Sequence, residues 1–277
     1  MPVPLVSIVI PAYNEESRLP ATLGRIGAYL LASGLDAEIL IVDDGSSDGT
    51  AQLVEAAATK GAMRVGPASP GPGGESPGSE RRIPSARLRL IRNPGNRGKG
   101  YSFRHGVSEA RGTWVLFTDA DLSTPIEEFE KLYARARDGR LDIVIGSRAL
   151  PESNITLYQP FYRVWMGRTF NKMVRILAGL PFRDTQCGFK LMARERVRPL
   201  VERMVVDRFA FDVELLYLAH RAGLAIAEVP VTWHNSPVSK VGLLWDPANM
   251  LRDVWKIRRR DARGEYRRGT EPGRKTG

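Results

Sequence analysis

With 277 residues, 43% of them hydrophobic and 26% charged, the chain is long enough to bury one large core and has the composition of an ordinary globular protein. No apolar run approaches the roughly 20 residues of a membrane-crossing helix, and the apolar stretch Val3–Ala12 lacks a basic start and runs into Glu15 and Glu16, so it does not read as a signal peptide. The single cysteine, Cys187, excludes an internal disulfide framework and fits a reducing, cytoplasmic setting, while the formal net charge of +10 calls for an anionic partner: nucleic acid, anionic lipid or a phosphorylated substrate.

In chain order, short β-branched runs alternate with helical patterns, which predicts βαβ units and a mostly parallel sheet with helices on both faces. Val6–Ile10 reads as a strand, followed by a helix from about Ser17 to Ala32. Glu38–Val42 is a second strand, with a helix from about Asp48 to Thr59. Leu88–Ile91, Trp114–Phe117 and Asp142–Gly146 are the third to fifth strands. Helices are expected at about Lys99–Ala110 and after Pro125, a residue favoured in the first helical turn. Gly61–Pro84 breaks the rhythm; rich in Gly, Pro and Ser, it reads as a disordered insertion within one domain spanning 1–258.

The second half is less regular. A strand or loop spans Cys187–Met192, helices follow at about Arg194–Arg203 and Phe211–Ala222, and Ile226–Trp233 reads as a strand. Two amphipathic helices stand out. Over Gln159–Leu180, Met166, Phe170, Met173, Leu177 and Leu180 share a face opposite Arg168, Lys172 and Arg175; over Pro247–Arg260, Met250, Leu251, Val254 and Ile257 stand beside Arg252, Lys256 and Arg259. Such helices suit an anionic lipid interface, although packing on the core is the commoner use of an apolar face. From Arg258 to Gly277 eight basic residues face three acidic ones, a surplus of five that is half the net charge; residues 259–277 read as a disordered basic tail.

The residues suited to chemistry gather at the C-terminal ends of the predicted strands, where open α/β sheets bind ligands. Pro11-Ala12-Tyr13-Asn14-Glu15-Glu16 follows the first strand, Asp43-Asp44-Gly45-Ser46-Ser47-Asp48 the second, Asp119-Ala120-Asp121 the fourth and Gly146-Ser147-Arg148 the fifth. Two carboxylates two residues apart, Asp119 and Asp121, can hold a hard cation such as Mg2+ or Mn2+ together with substrate phosphate oxygens; the alternative is a turn with a helix cap. Asp48 or Ser47 caps the helix after the second strand. Asp43 and Asp44 are then left to accept hydrogen bonds from a base or ribose. No glycine-rich dinucleotide loop follows the first strand, and Gly98-Lys99-Gly100 lacks the Ser/Thr of a phosphate loop, which disfavours oxidoreductases and P-loop hydrolases. His105, His220 and His234 are scattered and read as structural, and Cys187 as a small buried residue rather than a nucleophile.

In this order, Pro-Ala-Tyr-Asn-Glu-Glu, Asp-Asp-Gly-Ser-Ser-Asp-Gly-Thr, Asn-Arg-Gly-Lys-Gly and Asp-Ala-Asp resemble glycosyltransferase family 2, an inverting family with the Rossmann-like GT-A fold. Asp119–Pro125, Ile145–Arg148, Asp184–Lys190, Phe211–Glu214 and Ser239–Val241 resemble its dolichyl-phosphate glucose synthase branch, related to the polyprenyl-phosphate mannose synthases. The resemblance runs from about Val6 to Arg258. It implies transfer of a hexose, glucose from UDP-glucose foremost, to a polyprenyl or dolichyl phosphate at the cytoplasmic membrane face, with peripheral attachment.

By that resemblance Ala12, Tyr13, Glu15, Asp43 and Asp44 hold the nucleoside. Asp119 and Ala120 lie against ribose or metal, Asp121 binds metal and diphosphate, and Lys99 neutralises phosphate. Arg148, Arg163, Arg168 and Lys190 are candidates for the acceptor phosphate. Asp212, with Glu214, is expected to face the donor sugar. A phosphate acceptor needs no general base, whereas a glycan or small hydroxyl acceptor requires a carboxylate, for which Asp184 or Asp212 stand as candidates. A nucleic-acid-binding protein is the remaining reading of the charge, disfavoured because the basic residues sit in a tail and an amphipathic helix while the sheet edge is acidic.

Overall fold

The computed structural model describes residues 3–60, 87–156, 161–234 and 245–266. Seven strands form the central sheet: β1 (Val6–Ala12), β2 (Ala37–Asp43), β3 (Leu88–Arg92), β4 (Trp114–Thr118), β5 (Ile143–Ser147), β7 (Phe189–Ala193) and β8 (Ile226–Pro230). Their order is β3-β2-β1-β4-β7-β5-β8, and a two-stranded sheet of β6 (Asn154–Ile155) and β9 (Thr232–Trp233) stands beside it. All pairings are parallel except those of β7, which runs antiparallel between β4 and β5. The stretch expected as one strand over Ile226–Trp233 is thus split between two sheets.

The central strands of the seven-stranded sheet are mostly apolar and buried because both of its faces are covered. Alternate residues serve opposite cores, as a period of two demands. Val9, Leu40, Val42, Val115, Phe117, Ile143 and Ile145 enter one core, with Phe103 and Val107 of α3 (Lys99–Glu109), Val197 and Leu200 of α6 (Arg194–Val201), and most of α7 (Phe211–Arg221). Ile8, Ile10, Ile39, Ile41, Leu116 and Val144 enter the other, against Leu19, Leu23 and Ile26 of α1 (Leu19–Ser33), Val54 of α2 (Thr50–Lys60), and Phe129, Leu132 and Ala136 of α4 (Phe129–Gly139). A 3-10 turn, Ile126–Glu128, follows Pro125 and leads into α4.

The two amphipathic helices form, as α5 (Phe161–Ala178) and α8 (Trp245–Ala262), and of the two uses open to their apolar faces most residues take core packing. Met250, Val254 and Ile257 of α8 are buried in the core and Leu251 packs against it. In α5, Val174 and Ala178 are buried with Phe170 and Leu177 against them, while Met173 and Ile176 are exposed. Burying an aliphatic side chain contributes about 2 kcal/mol, so α5, α7 and α8 cover most of each stripe between them and leave its flanks exposed. The ordered chain also continues past 258: α8 runs to Ala262, and Tyr266 is 6% exposed because its hydroxyl bonds inside the fold. The segment 61–84 expected as an insertion, and the tail beyond Tyr266, lie outside the described residues.

Candidate active site

The ends of β1, β2 and β4 place three loops side by side. Register pairs Ala12 with Asp43 and Val9 with Phe117, so the words that follow each strand open onto one crevice. The first two loops are tied by backbone donors. Asn14, at φ 54°, donates N–H to Ser46 Oγ and accepts from Ser47 N–H; Glu15 N–H donates to Thr50 Oγ1, and Gly49 N–H to Glu16. Asp48 accepts from Thr50 N–H and Glu16 N–H, so it caps α2 as expected; burial works against its charge, but the bonds with Thr50 and Glu16 together hold the carboxyl below its ordinary value. Tyr13 stands at the rim, 39% exposed, above buried Ala12. Glu15 is buried and forms a two-toothed ion pair with Arg18.

Asp43 and Asp44 part company. Asp43 accepts from Ser46 N–H and stays at the crevice floor. Asp44 turns away, accepting from Asn93 Nδ2 and from the backbone N–H of Arg97 and Gly98, and so builds the 93–98 loop. Gly45, at φ 73°, makes that loop possible, since a Cβ there would lie 2.6 Å from Gly95. The base-or-ribose role expected for Asp44 gives way to this one, because both its oxygens are occupied.

The 93–98 loop delivers Lys99 at the start of α3. Its Nζ lies 2.6 Å from Asp119 Oδ1 and 5.5 Å from the centroid of the Phe117 ring. Burial opposes the charge on Lys99, but Asp119, Asp212 and Asp121 outweigh it and hold the ammonium protonated. Asp119 rests on Gly188, where a Cβ would stand 2.1 Å from its Oδ2. Ala120 C=O accepts from Thr22 of α1, and Leu122 takes the left-handed conformation at φ 46°. Asp121 accepts from Ser123 N–H through Oδ1, and no described residue donates to its Oδ2. His234 N–H closes the loop from behind by donating to Ser123 O.

Among the described residues no three His, Cys, Asp or Glu side chains converge as a ready-made metal cage. The fit is instead that of a cation shared with substrate. Mg2+ and Mn2+ take one or two carboxylates and fill the remaining positions with phosphate oxygens and water, and Asp121 with Asp119 offers such a pair.

Beneath the crevice the basic candidates are committed elsewhere. Lys190, 0% exposed, donates to Asp212 Oδ1 and Cys187 O, each at 2.5 Å, and so is closed to an acceptor phosphate. The cause is register. Antiparallel β7 sets Lys190 opposite Phe117, on the sheet face that carries α7, whose first turn holds Asp212. Burial raises the pKa of Asp212 against the lowering pull of Lys190 and Lys99. Its neighbour Glu214 points the other way, to Val205 N–H, Val206 N–H and the Tyr266 hydroxyl, so it does not face the donor sugar.

Arg148 forms a two-toothed pair with Asp184 (2.7 and 2.9 Å) and lies over Trp233. Burial works against the Asp184 anion, but Arg148 outweighs it and holds the carboxyl below the usual range, a poor general base. Burial, with Asp184, pushes the Cys187 thiol up to about 11, which fits a structural residue. The side chains of Arg163 and Arg168, and Ser239–Val241, lie outside the described residues. Gly188 carries no signal of its own in the sequence, since a close approach is visible only once its neighbour is in place.

The profile of glycosyl transferase family 2 matches residues 7–67 and 74–200, which takes in every loop of the crevice. The chain belongs to glycosyl transferase family 2. Among curated members, the dolichyl-phosphate beta-glucosyltransferase of Drosophila melanogaster is 37% identical over 263 residues, spanning 91% of this chain and 74% of that protein. The human protein of the same name is 33% identical over 276 residues, spanning 96% of this chain and 78% of its own. Among solved structures, glucosyl-3-phosphoglycerate synthase from Mycobacterium tuberculosis, in complex with Mn2+, UDP-glucose and phosphoglyceric acid, superposes with a TM-score of 0.60 at 20% identity, over 92% of this chain and 79% of that one. At that identity the likeness establishes the fold. This family 2 transferase therefore has the Rossmann-like α/β sheet expected of it, and its crevice lies where family 2 sequence words converge.

Proposed function

We propose that this family 2 transferase moves glucose from UDP-glucose to a dolichyl or other polyprenyl phosphate, inverting the anomeric carbon. The observation that carries the reading is the meeting of Lys99, Asp119 and Asp121 at the end of β4, beside Ala12 and Asp43 of the neighbouring strands. Relatives named dolichyl-phosphate beta-glucosyltransferase match over nine-tenths of the chain and support glucose as the sugar and dolichyl phosphate as the acceptor.

In this reading Tyr13, Ala12 and Asp43 take the nucleoside, and Lys99 takes the diphosphate. A divalent cation held by Asp121, with Asp119, withdraws charge from the departing diphosphate when bound. Lys99 supplies fixed positive charge to the same end and, lying between Asp119 and the Phe117 ring, needs little reorganisation to do so. The acceptor phosphate is already anionic, so the site's remaining task is alignment. That suits a crevice in which Asp184 is held ionised by Arg148 and Asp212 is 4% exposed against Lys190.

No helix among the described residues is long and apolar enough to cross a membrane. We propose peripheral contact with an anionic bilayer at the cytoplasmic face. Exposed Met173 and Ile176 of α5 and Trp255 of α8 would enter the interface, flanked by Lys172, Arg252 and Arg259. Radiolabelled UDP-glucose and GDP-mannose, each with Mg2+ or Mn2+ and a short polyprenyl phosphate, test the reaction. Glucosylated lipid is expected; label recovered only in water-soluble product overturns the acceptor, and preference for GDP-mannose overturns the donor.

A further inference from the structure

The loop between α6 and α7, residues 205–208, contributes nothing to the crevice yet sits between it and the C-terminal end of the described chain. On one side it caps α3. Gly98 offers no side-chain cap, and the N–H groups of Gly100 and Tyr101 donate instead to Asp207 O, at 2.7 and 3.1 Å. The approach is too close for any side chain: a Cβ on Gly98 would lie 2.4 Å from Asp207 O, and one on Gly100 2.4 Å from Val206 O. Arg104 adds bonds to Val206 O and the Asp207 carboxylate.

On its other side the loop hangs on one carboxylate. Glu214, 0% exposed, accepts from Val205 N–H (3.0 Å), Val206 N–H (2.9 Å) and the Tyr266 hydroxyl (2.7 Å). Between the loop and α8 lies a cavity of about 160 Å³, lined by Val206, Asp207, Asp253, Ile257 and Tyr266 among others. Val206 is buried in the core, but the cavity leaves the backbone of the loop fixed in position mainly by these hydrogen bonds. Helix N-terminal N–H groups need a partner, so loosening Glu214 loosens the cap, and with it the turn that carries Lys99.

We propose that Tyr266 and Glu214 are positioning residues for the donor: their hydrogen bond fixes loop 205–208, which caps α3 and sets Lys99 against Asp119. The donor half of this inference rests on Lys99 being the diphosphate-binding group; the mechanical half does not. Tyr266→Phe in the full chain removes one hydroxyl from a buried carboxylate and keeps the ring. Amide hydrogen exchange in the ligand-free protein is expected to rise roughly five-fold at Gly100 and Tyr101, as for loss of one net hydrogen bond. The KM for UDP-glucose is expected to rise by a similar factor and kcat to fall, since Lys99 also meets the charge of the departing diphosphate, with the KM for polyprenyl phosphate unchanged. Tyr266→Leu, which cannot donate either, should repeat the pattern, and Glu214→Gln should give the larger exchange increase. Unchanged exchange at Gly100 and Tyr101 overturns the link. Raised exchange with an unmoved donor KM overturns the positioning role, as does an equal rise in both KM values. A wild-type protein with no affinity for UDP-glucose overturns the donor reading instead, while the exchange result still decides the link.

Discussion

At the end of β4, Asp119 stands partly exposed and Asp121 makes one described hydrogen bond, toward an open crevice. Beneath it, Asp184, Asp212 and Glu214 are buried and hydrogen-bonded to groups of the fold. The contrast is clearest between two Lys–Asp pairs on either side of the Phe117 position. Lys99–Asp119 keeps about a third of each side chain exposed, whereas Lys190–Asp212 is all but sealed. A pair that meets water can exchange its partner for a substrate oxygen at small cost. A sealed pair cannot, because separating it strands a charge at low dielectric. Charge at the strand ends is therefore available for binding, and charge beneath them for holding shape.

The sharpest test of that division is Asp121→Ala. Asp121 makes one bond to Ser123 N–H, so the fold should melt within a few degrees of wild type. Turnover should fall by roughly a thousand-fold, the scale of losing a preorganised electrostatic partner, and chelation should stop wild-type turnover. Near-normal rates in either case would move the cation away from β4. Lys190→Met probes the sealed pair and should act on stability instead, costing about 3–5 kcal/mol by leaving Asp212 buried and unpaired. Adding Asp212→Leu should restore most of that loss in chemical denaturation; a single variant as stable as wild type would show that the pair is not structural.

Gly188→Ala lies on the border between the two regions. A methyl group there meets the Asp119 carboxylate, which must turn from Lys99. Donor affinity should fall about ten-fold, or roughly 1.4 kcal/mol, and unaltered nucleotide binding in calorimetry would place the donor elsewhere. The smallest effect is expected from Asp184→Asn. The folded-state pKa of Asp184 lies below its unfolded value, so its stabilisation is present above the ordinary carboxylate range and is lost as pH falls through the lower, folded value. Urea midpoints should therefore separate wild type from variant at neutral pH and converge below about pH 4. A gap that widened in acid would contradict the Arg148 pairing.

Much of the first half was legible in the sequence. Period-two apolar runs and turn residues mark the strands, and ligands of open parallel sheets lie at their C-terminal ends, so Ala12, Asp43, Asp119 and Asp121 could be placed together from order alone. Boundaries shifted by a residue or two, as at α1, which opens at Leu19 rather than Ser17. The second half was less legible because its polar residues take their meaning from neighbours distant in sequence. Asp212 and Glu214 share one helical turn and both carry a carboxylate. The first turns to Lys190 of a strand 22 residues earlier, the second to Tyr266, 52 residues later. The amphipathic stripe of α8 gives the same lesson, since a stripe shows that a face will be covered without showing by what.

By itself the sequence determined the fold class, the family and the edge of the sheet at which the crevice lies, because these follow from local periodicity and from motifs that each sit on a single strand end. Only the tertiary structure decided which charges stay open. The antiparallel insertion of β7 between β4 and β5 turns Lys190 under the crevice, and the close approach of Gly188 seats Asp119 beside Lys99. A charge is free or committed according to what stands within about 4 Å of it, and that distance is set by packing between segments far apart in the chain.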